Sequence, residues 1–151
     1  MPPAFTPAGA PPPRDGTTLL EVALVCAVVG IATAIAAPGV RGVVDGVQLR
    51  AARDELAAAC AAARQLAILR GQPVTLTVDE DGGRVVVATA TDTVVRRDLS
   101  ADYGVAVAAT RTAVTFAPTG LGVGVSNLSV VLERGRHADT VFVSRLGRVR
   151  R

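Results

Sequence analysis

The single charged side chain inside the longest apolar run of this sequence is Glu21. The run extends from Thr17 to Ala37, and as a helix its 21 residues would span about 31 Å, close to the hydrocarbon thickness of a bilayer. A carboxylate placed there costs about 2–3 kcal/mol on insertion scales, so it needs a partner. Residues 14–16, Arg-Asp-Gly, come just before the run, and a processing site there would free a new amine close to Glu21.

A second charged feature lies at the C-terminal end, where residues 134–151 contain six arginines and one aspartate. Arg148 and Arg150 are two positions apart, so in an extended segment they project from the same side while Val149 faces the core. Such a surface contacts phosphates and predicts salt-sensitive, sequence-independent binding of nucleic acid. The competing interpretation is that these arginines solvate and protect an edge strand. The arginines that would widen the patch are Arg134, Arg136, Arg145 and Arg151.

The other polar residues do not form the pattern of a catalytic or metal-binding site. His137 is the only histidine, has no Cys or Ser partner in the sequence pattern, and is expected in an exposed loop. Residues 79–81, Asp-Glu-Asp, lack the alternating ligand spacing of a calcium loop and predict a turn. Cys26 and Cys60 are too far apart on one predicted helix to form a disulfide within the chain. We therefore expect no enzyme activity, no metal and no cofactor.

The element that follows the apolar run is a long amphipathic helix over residues 40–70. Pro38 and Gly39 close the run, and the proline is expected to kink the helix or to end its first segment. Gly71 and Pro73 are a stop signal for the helix, and its charged residues fall mostly on faces away from the core. Apolar residues recur at three- and four-residue spacing: Val43, Val47, Leu49, Leu56, Cys60, Ala63, Leu66 and Ala67.

After residue 73 the hydrophobic period changes to two, which is typical of strands. A long helix, first transmembrane and then amphipathic, packed on a small antiparallel sheet or on two small sheets is an α+β fold. The predicted strands cover residues 73–78, 84–91, 93–97, 105–109, 113–116, 128–133 and 140–144, with a short last strand at 148–150.

The N-terminal segment RDGTTLLEVALVCAVVGIATAIAAP resembles the N-terminus of type IV prepilins and type II secretion pseudopilins. The resemblance implies that a prepilin peptidase cuts after Gly16, and that Thr17 becomes the N-methylated first residue of the mature chain. Glu21 is then the fifth mature residue and an assembly contact. Gly30 and Pro38 match the glycine and proline that pilin helices commonly carry. The implied fold is pilin-like.

Once Gly16 is removed, Thr17 presents an ammonium group beside a low-dielectric bundle of helices. The Glu21 carboxylate of a neighbouring subunit would pair with it, which satisfies two charges that neither subunit tolerates alone. The same ion pair would fix the axial stagger between subunits.

The C-terminal segment FAPTGLGVGVSNLSVVLERGRHADTVFVSRLGRVRR is similar to the end of minor pseudopilins of the GspH/FimT type. In that group a Phe-x-Pro-x-Gly segment, here residues 116–120, precedes two strands and a closing Gly-Arg motif, here residues 147–150. Some members are minor subunits of the secretion pseudopilus, and others belong to type IV pili. Some of the latter bind DNA during uptake through Gly-Arg-x-Arg, which makes Arg145, Arg148, Arg150 and Arg151 the candidate DNA-binding residues here.

The resulting hypothesis is a minor pseudopilin of a type II secretion pseudopilus, which supports protein secretion by filament assembly. Its layout is a cleaved leader (1–16), a transmembrane and assembly helix (17–38), an amphipathic continuation (39–71) and a β-rich head (72–151). It is a single-pass protein of the inner membrane with a periplasmic or extracellular head, and it can be extracted into a filament. The expected partners are other pilins or pseudopilins, the prepilin peptidase, the membrane and secreted cargo.

Two alternatives stay open. The first is a minor pilin of a type IV pilus that binds DNA during natural transformation. The second is a secreted soluble domain behind a secretory signal peptide, with residues 34–36, Ala-Ile-Ala, as the small-residue cleavage box.

Overall fold

Helix α1 (Leu19–Arg70) contains both the apolar run and the amphipathic stretch. The computed structural model describes residues 18–124 and 127–150, and it gives the backbone alone at Ala37 and Pro38. Helix α1 ends before Gly71, whose φ of 62° is a left-handed conformation that glycine adopts without strain. Pro38 lies inside α1 and does not end it. Of the two predicted effects of the proline, the end of the first helical segment is therefore wrong. Proline has no backbone N–H, so the helix loses one hydrogen bond at this position and can still continue.

In the described part of the chain, eight strands and one short helix follow α1, and each strand pairs antiparallel to its neighbours. The elements are β1 (Val74–Asp79), β2 (Arg84–Ala88), β3 (Thr93–Asp98), α2 (Leu99–Tyr103), β4 (Ala106–Ala109), β5 (Ala113–Phe116), β6 (Leu128–Arg134), β7 (His137–Val143) and β8 (Val149–Arg150). They form two four-stranded sheets with the orders β3-β2-β1-β5 and β4-β6-β7-β8. The predicted α+β fold is confirmed, in the version with two small sheets.

The contacts within the chain divide it into two units, with the boundary after Pro38. In the first unit, the side chains of residues 18–36 are all exposed. Within the described residues, α1 is the one helix that is long and apolar enough to cross a membrane, judged by length and composition alone.

The second unit has one hydrophobic core, built from one face of α1 and the inner faces of both sheets. Alternate residues of β1 and β6 are buried, as a period of two predicts. Phe116 is the largest fully buried side chain, and the rest of the core is mainly valine, leucine and alanine. The residues that α1 contributes are Leu49, Ala52, Leu56, Ala59, Cys60, Ala63 and Ala67.

Polar contacts also tie α1 to the strands and loops. Burial works against the charge on Arg53, but hydrogen bonds and the charges of Asp54 and Asp139 outweigh it and raise the pKa of its guanidinium. The four longest-range contacts are Arg134 Nε to Asp45 Oδ1 (2.8 Å), Arg53 Nη1 to Asp139 Oδ2 (3.0 Å), Arg97 Nε to Glu55 Oε1, and Arg64 Nε to the Gly120 carbonyl oxygen (3.1 Å).

The buried face of α1 begins later than its sequence pattern predicts. Val43 and Val47, which were predicted to belong to it, are 68% and 55% exposed. At this level the tip of the β6–β7 hairpin meets the helix through the contact of Arg134 with Asp45, and both valines stay uncovered. The core face therefore starts at Leu49.

Helix α2 is absent from the sequence prediction, although its two ends carry standard signals. Asp98 is its N-cap and accepts a hydrogen bond from the Ala101 N–H (2.9 Å). Gly104 is its C-cap in the left-handed conformation. Strand β2 also ends earlier than predicted, at Ala88, because residues 89–92 form a turn closed by the Thr89 N–H and the Asp92 carbonyl (2.8 Å).

Candidate functional site

The first candidate site is the start of α1, where Thr18 and Glu21 are three positions apart. The Glu21 N–H donates to the Thr18 carbonyl (3.0 Å) and to the Thr18 hydroxyl (3.3 Å). Thr18 thereby caps the helix, and a threonine followed three residues later by glutamate is the sequence signature of a capping box. The sequence interpretation overlooked this local role of the pair, although the signature is legible in the sequence.

The side chain of Glu21 is exposed and lies in the first turn of α1, where a negative charge is favoured by the helix dipole. Its carboxylate makes no hydrogen bond or ion pair within residues 18–124 and 127–150. A carboxylate at the edge of an apolar helix, with no partner among the described residues, is available to a partner from another chain.

Gly30 lies further along the same exposed apolar segment. A Cβ atom built at Gly30 would meet nothing within 4 Å, so the glycine fills no packing requirement inside the described chain. The other residues predicted for this site, Gly16 and Thr17, lie outside the described residues, as does the side chain of Pro38.

The second candidate site is the tight turn between β7 and β8, which carries the C-terminal arginines. The Ser144 N–H donates to the Arg148 carbonyl (2.9 Å), and the Gly147 N–H donates to the Ser144 carbonyl (2.8 Å). Arg148 and Arg150 are exposed on either side of Val149, which is half-buried against the core. This is the alternation that the sequence pattern predicts.

Arg145, Arg148 and Arg150 keep their guanidinium groups free of any hydrogen bond or ion pair within the described part of the chain. Arg134 is different, because it is held by Asp45 and by the Tyr103 carbonyl and therefore does not belong to an open patch. Arg151 lies outside the described residues.

The turn that carries the arginines lies against Arg64 of α1. The Arg64 Nε donates to the Gly120 carbonyl oxygen (3.1 Å), and a Cβ atom at Gly147 would come within 2.8 Å of that same oxygen. Gly120 and Gly147 both have positive φ, 76° and 69°. The Arg64 side chain therefore lies beside two segments that are far apart in the sequence, residues 116–120 and 147–150. We call this contact the junction over Arg64. The sequence interpretation missed Arg64, because nothing in its helical context distinguishes it from a solvated arginine.

The remaining titratable residues do not add a further site. His137 is exposed, as predicted, but it is the first residue of strand β7 and does not lie in a loop. Burial raises the pKa of the Cys60 thiol to about 12, so that thiol stays protonated and unreactive at neutral pH. Among the described residues, no group of three His, Cys, Asp or Glu side chains is placed to hold a metal ion.

Residues 52–147 match the family model described as "Type II transport protein GspH". The chain belongs to the GspH family. The match includes Arg64, Gly120 and Gly147, so the junction over Arg64 lies within the family region. The predicted resemblance to GspH/FimT minor pseudopilins is thereby confirmed. No curated protein matches this GspH-family chain by sequence.

Solved structures of two proteins share the fold of this GspH-family member. The type IV minor pilin FimU of Pseudomonas aeruginosa is 16% identical with a TM-score of 0.58, over 68% of this chain and 86% of that one. The minor pseudopilin EpsH of the type 2 secretion system of Vibrio cholerae is 12% identical with a TM-score of 0.55, over 68% of this chain and 94% of that one. At these identities the likeness establishes the pilin-like fold.

The junction over Arg64 gives a prediction about Gly147→Ala. The new Cβ atom would be strained by the positive φ and would also collide with the Gly120 carbonyl oxygen at 2.8 Å. We expect the free energy of unfolding to fall by about 2–3 kcal/mol. The control is Gly71→Ala, which also has a positive φ but has nothing within 4 Å of its Cβ position, and which should lose only about 1 kcal/mol. Denaturant unfolding followed by circular dichroism measures both, and equal losses would contradict the steric argument.

Proposed function

We propose that this GspH-family chain is a minor pseudopilin of a type II secretion pseudopilus, which assembles with other pilin-like subunits and supports protein secretion. Membership of the family makes it a minor pseudopilin or pilin. The observation that carries the assembly role is the Glu21 carboxylate at the start of an exposed apolar helix, where it has no partner among residues 18–124 and 127–150. The pseudopilus, rather than a pilus, is favoured by the description of the matched family as a type II transport protein.

The proposed assembly begins with proteolysis. A prepilin peptidase removes residues 1–16 after Gly16, and Thr17 becomes the N-methylated first residue. Its ammonium group then pairs with the Glu21 carboxylate of a neighbouring subunit. A charge in an apolar surrounding is tolerated when it is paired, so this contact selects the stagger in which the two charges meet.

The apolar helix supplies the surface for the remaining contact between subunits. Gly30 lies in an exposed run where no side chain of the described residues would meet a Cβ atom, and small residues let helices approach closely in a membrane. In the proposed layout, residues 17–38 span the inner membrane and take part in assembly, residues 39–71 continue the helix, and residues 72–151 form the head outside that membrane.

The proposed mechanism is polymerisation, with no catalytic step. The chain adds to or primes a filament, and its head presents a surface that secreted cargo or other minor subunits contact. Polar residues of the head support this view, because Asp139 and Arg134 bind residues of α1 and Asp79 closes a turn.

A second candidate function is that of a type IV pilus minor pilin that binds DNA. The observation that favours it is the exposed group Arg145, Arg148 and Arg150, whose guanidinium groups have no partner in the described part of the chain. These charges could bind the phosphates of DNA, because sequence-independent affinity for nucleic acid comes from arginine and lysine contacts to its phosphate backbone. FimU, which has the same fold, is a type IV minor pilin.

The proteolytic step predicts the mature N-terminus. Mass spectrometry of the chain purified from membranes should find Thr17 as the first residue, with the added mass of a methyl group. Gly16→Ala should leave most of the protein uncleaved, whereas Ala10→Gly, a change elsewhere in the leader, should not alter processing. An N-terminus just after Ala36 would instead establish a secretory signal peptide.

The ion pair predicts the effect of Glu21→Gln on assembly. Removing one partner of a buried pair costs about 3–5 kcal/mol, so co-purification with other pilin-like subunits should fall at least about tenfold. Processing after Gly16 should be unchanged. The matched control is Glu80→Gln, which removes an exposed carboxylate in a turn of the head and should assemble like the wild type. Wild-type recovery of Glu21→Gln would contradict the proposed contact.

The nucleic-acid alternative predicts that the full chain in non-ionic detergent retards duplex DNA in a gel at low salt. The double variant Arg148→Ala, Arg150→Ala should lower the salt dependence, log K against log salt, by about 2 units, because each lost phosphate contact contributes about 0.9. Arg96→Ala removes an exposed arginine from the other sheet and serves as the control. If the wild type binds no DNA at low salt, the alternative is wrong and the secretion role stands alone.

A further inference from the structure

An open groove of about 390 Å³ lies between the C-terminal part of α1 and the β7–β8 turn. Two arginines and an amide line it, and no acidic side chain of the described residues does so. Apolar groups form the rest of the wall, where Ile68 is 48% exposed. We call this surface the Arg64 groove, and besides Gly147 its lining residues are Ala61, Arg64, Gln65, Ile68, Arg148 and Val149.

The Arg64 side chain is confined on several sides. Its Nε donates to the Gly120 carbonyl oxygen (3.1 Å). A Cβ atom built at Gly147 would lie 3.0 Å from Arg64 Cδ, and one built at Gly120 would lie 3.1 Å from Arg64 Nε, so both segments approach the side chain closely. Its Nη1 and Nη2 groups have no hydrogen bond or ion pair within the described residues. A guanidinium that is already held in place loses less conformational entropy when these two groups bind a ligand.

Arg148 supplies the second positive charge of the groove. Its backbone is fixed by Ser144, whose Oγ accepts from the Arg148 N–H (3.2 Å) and whose N–H donates to the Arg148 carbonyl (2.9 Å). Its side chain is exposed, and the guanidinium has no partner among the described residues. Gln65, which is also exposed, adds an amide from α1. Two guanidinium groups without a neighbouring carboxylate favour an anion, and the planar fork of arginine matches the paired oxygens of a carboxylate.

The apolar wall of the groove distinguishes between the molecules that could carry the anion. Because Ile68 and Val149 lie beside the charges, a ligand that fills the groove presents an apolar side chain next to its anionic group. An acidic protein segment has this combination. A duplex does not, because its phosphates are outermost and its bases are stacked inside. A single strand would need an aromatic ring for its bases to stack on, and the described lining of the groove contains none.

We propose that the Arg64 groove binds a carboxylate-bearing segment of a protein partner. Arg64 and Arg148 bind the carboxylate, and Ile68 and Val149 contact an adjacent apolar side chain of the same segment. Complementary charge beside an apolar contact gives such a site both its orientation and its specificity. The inference rests on the proposed function, in which the head contacts other subunits or cargo, and it assigns to that contact a surface and a partner chemistry.

Anisotropy titrations with three short fluorescent peptides of equal length test the groove. One peptide alternates leucine with glutamate, the second alternates leucine with glutamine, and the third contains glutamate alone. The full chain is used in non-ionic detergent at physiological ionic strength, which screens diffuse attraction between charges. The leucine–glutamate peptide should bind at least about tenfold more tightly than the leucine–glutamine peptide, because hydrogen bonds between charged partners are the stronger ones. It should also bind more tightly than the glutamate peptide, which has nothing to place against the apolar wall.

Variants of the two arginines locate the binding site. Arg148→Gln should remove most of the preference for the leucine–glutamate peptide, and the exposed position of this side chain makes the change compatible with folding. Arg64→Lys keeps the charge but not the planar fork, and it should also lower the preference. The matched control is Arg145→Gln, which removes an exposed arginine of the same turn that does not line the groove and should leave the preference unchanged.

Equal binding of the leucine–glutamate and leucine–glutamine peptides by the wild type overturns the proposal, as does a preference that both groove variants keep. A loss in Arg145→Gln equal to that in Arg148→Gln overturns the groove in favour of the overall charge of the turn. Displacement of the leucine–glutamate peptide by an equal concentration of a thymidine strand overturns the assignment to a protein partner in favour of phosphate. Each of these results leaves cleavage after Gly16 and the dependence of co-purification on Glu21 unchanged, so a failure of this inference is distinguishable from a failure of the proposed function.

Discussion

The packing of one face of α1 under both sheets is the interaction on which the head depends. Residues 49–67 of the helix contribute alanines at most of the contact positions, with Leu49 and Leu56 between them. Small side chains on a helix let the strands approach it closely, and valine-rich strands fill the space with branched side chains. The head therefore has a dense core although it contains few aromatic residues, and among its described residues only the aromatic side chain of Phe116 is fully buried.

Hydrogen-bonded arginines surround this apolar contact and fix its orientation. Arg53, Arg97 and Arg134 each pair with a carboxylate across the helix–sheet boundary, while Arg64 binds a carbonyl. Partly exposed ion pairs contribute at most about 1 kcal/mol each to stability. They also restrict geometry. A planar guanidinium donates its hydrogen bonds only in fixed directions, so these contacts disfavour rotation or sliding of the helix. The arginines of the β7–β8 turn have no such partner among the described residues.

Much of this architecture was predictable from the sequence, and the reasons for the misses are physical. The change of hydrophobic period after residue 73 identified nearly every strand, because one buried face imposes alternation. Helix α2 was missed because five residues are too few to show a helical period, although Asp98 and Gly104 mark its ends. Val43 and Val47 were assigned to the core because their spacing fits, but spacing does not reveal where the covering strands end.

The candidate sites divide in the same way. The position of Arg148 and Arg150 on either side of the apolar Val149 predicted that both are exposed, because successive side chains of an extended segment point to opposite faces. Arg64 could not be selected from the sequence, since its partner is a backbone carbonyl 56 residues away and backbone groups carry no sequence signal.

The junction of Arg64 with Gly120 and Gly147 also has a mechanical meaning. The β7–β8 turn continues into the strands on one side, and on the other its Gly147 lies against the Arg64 side chain and the Gly120 carbonyl that Arg64 binds. Tension applied along α1 within the head therefore has a path to this turn through Arg64 and the Gly120 carbonyl, less than about two turns from the end of the helix. A molecule bound at the turn would be coupled to the helix through this short contact, and a force applied to one would be transmitted to the other.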